Sequence, residues 1–219
     1  WTLSRGLGDV YKRQCLNCAL FVFVLKVQEL RFLDWNPMSF NVNSGECMGL
    51  SGRSGTGKTL LLRAIADLDQ SQGIVLINGK KREDFPGPVW RKKVGYLPAE
   101  SRWWYPKVSQ HFSSIEDCEL EDFGFLDMTI FDSEVSRLSS GEKQRLALAR
   151  LLSGSPEVLL LDEPTANLDN LTASLVETLI KNYCENQDAA AIWITHDQSQ
   201  LERVSQNQLV MKNKSLIEL

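Results

Sequence analysis

No run of apolar residues in this chain is long enough to cross a bilayer. The longest, residues 19–25, falls far short of the ~20 residues that a spanning helix needs, and Lys26 ends it. A role at a membrane would therefore require a separate anchoring subunit. The cationic start, longer apolar core and small-residue cleavage site of a signal peptide are missing too. Cysteine occurs five times, an odd number, at the scattered positions Cys15, Cys18, Cys47, Cys118 and Cys184, which excludes a secreted disulfide framework and suits a reducing cytosol. Cys15 and Cys18 have the spacing of half a zinc site, but no second pair matches them. Positive charge is not in excess either: 24 Lys and Arg face 28 Asp and Glu, a net charge of −4. That balance gives no global attraction to nucleic acid or to an anionic membrane surface.

What is there suffices for one large domain, since 219 residues can enclose a substantial core. The first residues are set apart. The text SRGLGDVYKRQ at residues 4–14 resembles the translation of a transposase-type sequencing-library adapter, so residues 1–14 are expected to be non-native, with a disordered natural tail as the alternative. Residues 15–24 are an uncertain N-terminal segment, and the folded domain is expected over 25–219.

From Leu25 the pattern is that of an α/β protein. Short β-rich runs at 25–33, 38–42 and 47–50 precede a glycine-rich loop and a helix over 60–68. A strand at 74–77 leads into an Asn78-Gly79 hairpin turn, and 94–97 is a short buried strand. Between about 106 and 135 there is no β alternation, and the acidic, Phe-rich text of 116–125 predicts a small helical insert. Helices over 139–152 and 171–183 alternate with apolar strands at 158–161 and 190–195. Such alternation implies a mainly parallel sheet covered on both faces.

Three motifs carry chemistry. Gly52-Arg53-Ser54-Gly55-Thr56-Gly57-Lys58-Thr59 matches G-x-x-x-x-G-K-[ST] in full, between a predicted strand and a predicted helix. Glycines let the backbone wrap closely, so that consecutive N–H groups and the helix N-terminus point at phosphate oxygens. In that setting Lys58 reaches the β and γ phosphates and the Thr59 hydroxyl ligates Mg²⁺. A chance glycine-rich turn does not explain strand, loop and helix in this order. The apolar strand at 158–161 ends in Asp162 and Glu163. It would carry Asp162 to the carboxyl edge of the sheet, to hold the Mg²⁺ hydration shell, and place Glu163 as general base on an attacking water. Third, Leu138-Ser139-Ser140-Gly141-Glu142, followed by Lys143-Gln144-Arg145, opens a helix with a Ser-to-Glu cap.

This third motif resembles the signature of ATP-binding cassette (ABC) ATPases, LSGGQ in its commonest form. The resemblance extends over roughly residues 25–219. Ala166-Asn167-Leu168-Asp169 is similar to the loop that couples the two sites of a cassette dimer, and Thr195-His196-Asp197 to the switch histidine that contacts the γ-phosphate. Of the two histidines only His196 ends a core strand. The resemblance implies a P-loop NTPase core with an antiparallel β subdomain and a small helical subdomain at about 106–152. It implies Mg-dependent ATP hydrolysis with Glu163, His196 and Lys58 catalytic. Two ATP molecules would be sandwiched in a head-to-tail homodimer, each completed by Ser139 and Gly141 of the opposite subunit. A separate membrane permease would be the partner, with the chain peripheral on the cytoplasmic face of the inner membrane. The text at 192–197 resembles small bacterial cassettes, including those of the iron-export type. A soluble cassette acting as a mechanical or regulatory switch is the rival reading. The long coiled-coil insert or second cassette of such proteins is missing, and Lys58 and Glu163, which a non-hydrolysing regulator would have lost, are present.

Two places depart from the family pattern. After Val94-Gly95-Tyr96-Leu97-Pro98 the family usually has Gln, where Ala99 stands here and Glu100 follows. Upstream, where the family usually has an aromatic stacked on adenine, Phe32 or Trp35 would serve, with a plain core role as the alternative for Phe32. Trp103-Trp104-Tyr105 lies in the region that faces the permease in transporters, so it is either an interface or local packing.

Overall fold

The computed structural model describes residues 23–113, 120–125 and 127–218. The suspected adapter segment, Cys15, Cys18 and Cys118 lie outside the described residues. Two sheets form the scaffold, one four-stranded and one six-stranded. The strands are β1 (Phe23–Arg31), β2 (Met38–Asn43), β3 (Cys47–Ser51), β4 (Gln72–Ile77), β5 (Lys80–Lys81), β6 (Val94–Leu97), β7 (Val158–Asp162), β8 (Ala190–Ile194), β9 (Asn207–Lys212) and β10 (Ser215–Glu218). The α-helices are α1 (Lys58–Ile65), α2 (Gly87–Lys93), α3 (Ser140–Leu152), α4 (Asn170–Asn186) and α5 (Gln198–Val204).

The four-stranded sheet, in order β2-β1-β4-β5, is antiparallel throughout. Its last hairpin turns through Asn78 and Gly79 at φ 48° and 77°, the left-handed pair that a two-residue turn between paired strands requires. The six-stranded sheet, in order β10-β9-β3-β8-β7-β6, is parallel except for the β9–β10 pair. All its parallel strands point their carboxyl ends to one edge, where a ligand crevice forms in open α/β sheets.

Period-two alternation sends successive side chains of the central strands into two different cores. Val158, Leu160, Ala190, Ile192 and Ile194 pack with the antiparallel sheet, α1 and Trp90 of α2. Leu159, Leu161, Ala191 and Trp193 pack with Leu146 and Leu148 of α3 and Val176 and Ile180 of α4. With both faces covered, β7 and β8 are buried at every residue, which is why they read as unbroken apolar runs. Trp90 and Trp193 are the largest wholly buried side chains. Truncating an aromatic of this size typically costs ~3–5 kcal/mol. Trp90 also donates its indole N–H to the carbonyl of Ile65 at 3.0 Å, tying α2 to the end of α1.

Several boundaries differ from expectation for local reasons. β1 starts at Phe23, earlier than the expected 25, and ends at Arg31 because Leu33 has φ 51°. α1 stops at Ile65 rather than continuing to 68, because Asp67 takes φ 59°. The small helical insert is expected over 116–125, of which 116–119 lie outside the described residues. The described residues of 106–152 form short 3₁₀ turns at Ser109–His111, Leu120–Phe123, Met128–Asp132 and Val135–Arg137, and α3 is the only α-helix among them. Turns of this kind have no 3.6-residue period and left none in the sequence.

Candidate active site

The phosphate-type loop leaves β3 at the carboxyl edge and enters α1. Gly52, Gly55 and Gly57 have φ 141°, 78° and 80°, conformations that L side chains rarely adopt. A side chain at Gly57 would meet more than strain: a Cβ there would stand 3.0 Å from the Trp35 ring. Ser54 is exposed, whereas the Thr56 hydroxyl donates to the carbonyl of Arg53 at 2.7 Å and holds the loop closed. Lys58 is buried, and its ammonium donates to the carbonyls of Gly52 at 2.8 Å and Arg53 at 3.3 Å. Burial lowers its pKa, and the nearby carboxylates of Glu163 and Asp162 act in the opposite direction. Thr59 reaches across the sheet, its hydroxyl donating to Asp162 Oδ2 at 2.7 Å.

The strand order explains how these loops meet. β8 lies between β3 and β7, so the residues after β8 sit between the glycine loop and the Asp162–Glu163 edge. His196 occupies that position, with Nε2 2.6 Å from Glu163 Oε1. Glu163 itself has φ 50°, and its N–H continues the ladder by donating to the carbonyl of Ile194 at 3.1 Å. A non-glycine residue held in the left-handed region at a strand end stores local strain, which structures tend to concentrate at functional positions. Asp162 is buried, with the Tyr96 hydroxyl 3.5 Å away. Burial first, and then the charge of Asp162, push the Tyr96 phenol up to about 12. The structure thus brings together Lys58, Thr59, Asp162, Glu163 and His196.

Ser139 and Gly141 are arranged differently. Ser139 caps α3 in a reciprocal box with Glu142: its hydroxyl accepts from the Glu142 N–H at 3.2 Å and donates to Glu142 Oε2 at 2.7 Å. The hydrogen bonds from the Ser139 hydroxyl and then from the Ser139 backbone N–H hold the Glu142 carboxyl below its ordinary range. At Gly141 a Cβ would come within 3.1 Å of the Asn167 carbonyl, so the signature helix starts against the Asn167-Leu168-Asp169 segment of its own chain. Among the described residues the Ser139 side chain hydrogen-bonds to Glu142 and not to the glycine loop of the same chain.

The two open aromatic questions acquire different answers. Phe32 is buried in the core, and Trp35 stacks on it at 5.7 Å, half-exposed against Gly57. In the second cluster Trp103 packs inward while Trp104 and Tyr105 are exposed. Buried His111 organises them: its Nε2 accepts the backbone N–H groups of Trp104 and Tyr105 at 3.1 and 3.0 Å. Arg150 of α3 lies over Trp103 and Trp104, at 4.7 and 5.0 Å. At the departure after β6, Ala99 is half-buried and Glu100 exposed, and the buried amide of Gln144 donates to the carbonyl of Pro98 at 3.3 Å. Sequence reasoning missed Gln144, Tyr96, Thr165 and Gln200. Tyr96, inside the strand before Pro98, and Gln144, beside the Ser139–Glu142 motif, carried a hint.

Comparison with known proteins agrees with this geometry. The profile of the family described as "ABC transporter" matches residues 35–166. The chain is 31% identical to the "Probable iron export ATP-binding protein FetA" of Escherichia coli strain K12, over 76% of this chain and 79% of that protein. It is 37% identical to the aliphatic sulfonates import ATP-binding protein SsuB of Granulibacter bethesdensis, over 73% of this chain and 66% of that one. It is 31% identical to the spermidine/putrescine import ATP-binding protein PotA of Legionella pneumophila strain Paris, covering 84% of this chain and about half, 53%, of that relative's length. Among solved structures, a dimeric post-hydrolysis ATP-binding cassette bound to ADP and phosphate superposes with a TM-score of 0.76 at 22% identity, over 89% of this chain and 97% of the other. A bacterial Atm1-family ABC exporter with ATP bound gives 0.79 at 24% identity, over 89% of this chain and 38% of that one. These two likenesses establish the fold.

Proposed function

Since this chain belongs to the ABC transporter family of ATP-binding proteins, we propose that it hydrolyses Mg-ATP between two copies of itself and drives a separate membrane permease. The observation that carries the reading is the meeting of Glu163, His196, Asp162 and Thr59 at one sheet edge beside the glycine loop.

In this reading the backbone of residues 52–57 cradles the phosphates, and Lys58 turns from the Gly52 and Arg53 carbonyls to the β and γ phosphates. Its burial leaves it little hydrated, so exchanging carbonyl dipoles for phosphate charge is favourable. The oxygen donors Thr59 and Asp162 suit a hard cation that keeps waters and phosphate oxygens as its other ligands, and they would hold Mg²⁺. Bound there, Mg²⁺ neutralises phosphate charge. Glu163 accepts the proton of the attacking water as general base, and His196, 2.6 Å away, orients the carboxylate and contacts the γ-phosphate. Trp35 is the adenine-stacking aromatic, because Phe32 is buried behind it. Ser139 and Gly141 serve the nucleotide of the opposite subunit, which fits the absence of any Ser139 hydrogen bond to its own glycine loop among the described residues.

The relatives favour transport over a soluble switch, since the three named above are ATP-binding proteins of import or export systems. Their names point to different cargoes, iron, sulfonates and polyamines, so the cargo follows from the permease rather than from this site. Among the described residues no helix is long and apolar enough to cross a membrane. A peripheral position on the cytoplasmic face, docked through exposed Trp104 and Tyr105, completes the proposal. The test is ATP turnover by the chain beside Glu163→Gln: turnover in the parent and its loss in the variant support the assignment, and equal turnover in both would refute it.

A further inference from the structure

Glu163 and His196 touch, yet neither is locked by packing: their side chains are 29% and 52% exposed. What holds the two loops in register lies one layer below. Thr165, two residues after Glu163, and Gln200, four after His196, are both buried. The Gln200 amide donates from Nε2 to Thr165 Oγ1 at 2.8 Å and to Glu177 Oε1 at 2.8 Å, and the Thr165 hydroxyl lies 3.2 Å from Gln200 Oε1. Glu177, on α4, is itself gripped by Arg203 of α5, whose Nη2 and Nε donate to its two oxygens at 2.9 and 3.1 Å. The start of α5 is fixed in turn by Asp197, which accepts the N–H groups of Ser199 and Gln200 at 2.9 and 3.3 Å. One chain of hydrogen bonds therefore joins the loop after β7, the loop after β8, and α4.

From these contacts we infer that Gln200 is a positioning residue for the Glu163–His196 pair. It acts through Thr165, on the turn in which Ala166 N–H donates to the Glu163 carbonyl at 3.2 Å and Leu168 N–H to the Thr165 carbonyl at 3.1 Å. A shift of Thr165 moves Glu163 on one side and, on the other, the Asn167 carbonyl and Leu168 side chain that abut Gly141. An apolar side chain could fill the same volume at no desolvation cost. A buried amide satisfied by two partners fixes direction as well as volume, which is what a reacting pair needs. The inference rests on the proposed roles of Glu163 and His196.

The experiment is steady-state ATP turnover of the full chain with Mg-ATP, for the parent, Glu163→Gln, Gln200→Leu, Thr165→Val and the Gln200→Leu/Thr165→Val double variant. Each single variant at Gln200 or Thr165 is expected to lower kcat about tenfold, a modest fraction of the ~10²-fold that a 1 Å misplacement can cause. The KM for ATP should stay within about twofold, because the glycine loop is untouched. The double variant should be no slower than the worse single, as expected of one coupled unit. Should Gln200→Leu fail to fold, Thr165→Val decides, since it exchanges only a hydroxyl for a methyl. Unchanged kcat in a folded variant overturns the inference, and so do additive losses or kcat and KM worsening together with the unfolding midpoint. Parent turnover that is indifferent to Glu163→Gln fails the underlying site assignment instead, and takes the inference with it.

Discussion

The Thr59 hydroxyl donates to the Asp162 carboxylate at 2.7 Å although β8 separates the strands that lead to them. Two oxygen-bearing side chains from distant parts of the chain are thus set side by side, the pair proposed to hold Mg²⁺. Under that proposal, ligands already in place spare the reorganisation that cation binding would otherwise require.

Asp162→Asn is the substitution that isolates this arrangement. The amide can still accept from Thr59, so the fold should survive, but the charge is lost. ATP turnover should fall by at least about a hundredfold, the usual scale for removing one pre-organised electrostatic group. Retained, EDTA-sensitive turnover in the variant would show that the cation is held elsewhere.

Trp35 should carry the base. Trp35→Ala is expected to weaken ATP binding about tenfold, within the ~1–3 kcal/mol attributed to stacking one base on an aromatic, while Trp35→Phe keeps most of the affinity. Titration with a fluorescent ATP analogue checks it. Unchanged binding in the alanine variant would reassign Trp35 to a packing role against Phe32 and Gly57.

Glu177 links the structure to pH. Burial raises its pKa, but the hydrogen bonds from Arg203 and Gln200 outweigh that and hold the carboxyl below its ordinary value. A depressed folded pKa contributes stability that is present above the unfolded value of ~4.3 and is lost as pH falls through the folded one. Glu177→Gln should therefore be less stable near neutral pH and should lose less stability than the parent as pH falls below about 4. Urea midpoints across that range measure it, and parallel curves for parent and variant would refute the assignment.

The fold was legible wherever burial imposed a period. β7 and β8 are covered on both faces and announced themselves as apolar runs, and the glycine loop between β3 and α1 matched a spacing that phosphate binding demands. The order β3-β8-β7 was not legible, because sequence spacing does not say which strand lies between two others, and it is this order that sets His196 against Glu163. The short turns of the described insert residues were not legible one by one, since they are fixed by single side chains, such as Asp127 accepting from Thr129 N–H at 2.7 Å and His111 accepting from two backbone N–H groups. Gln200 left no trace, because one polar letter in the first turn of a helix looks like surface until its partners are known.

The most direct measurement is the association state of Glu163→Gln with and without Mg-ATP, by sedimentation velocity. If each site is built from the glycine loop of one copy and Ser139 of the other, the variant binds ATP, cannot hydrolyse it, and accumulates as a dimer only when ATP is present. A variant that binds ATP and stays monomeric at all concentrations would contradict the two-chain site.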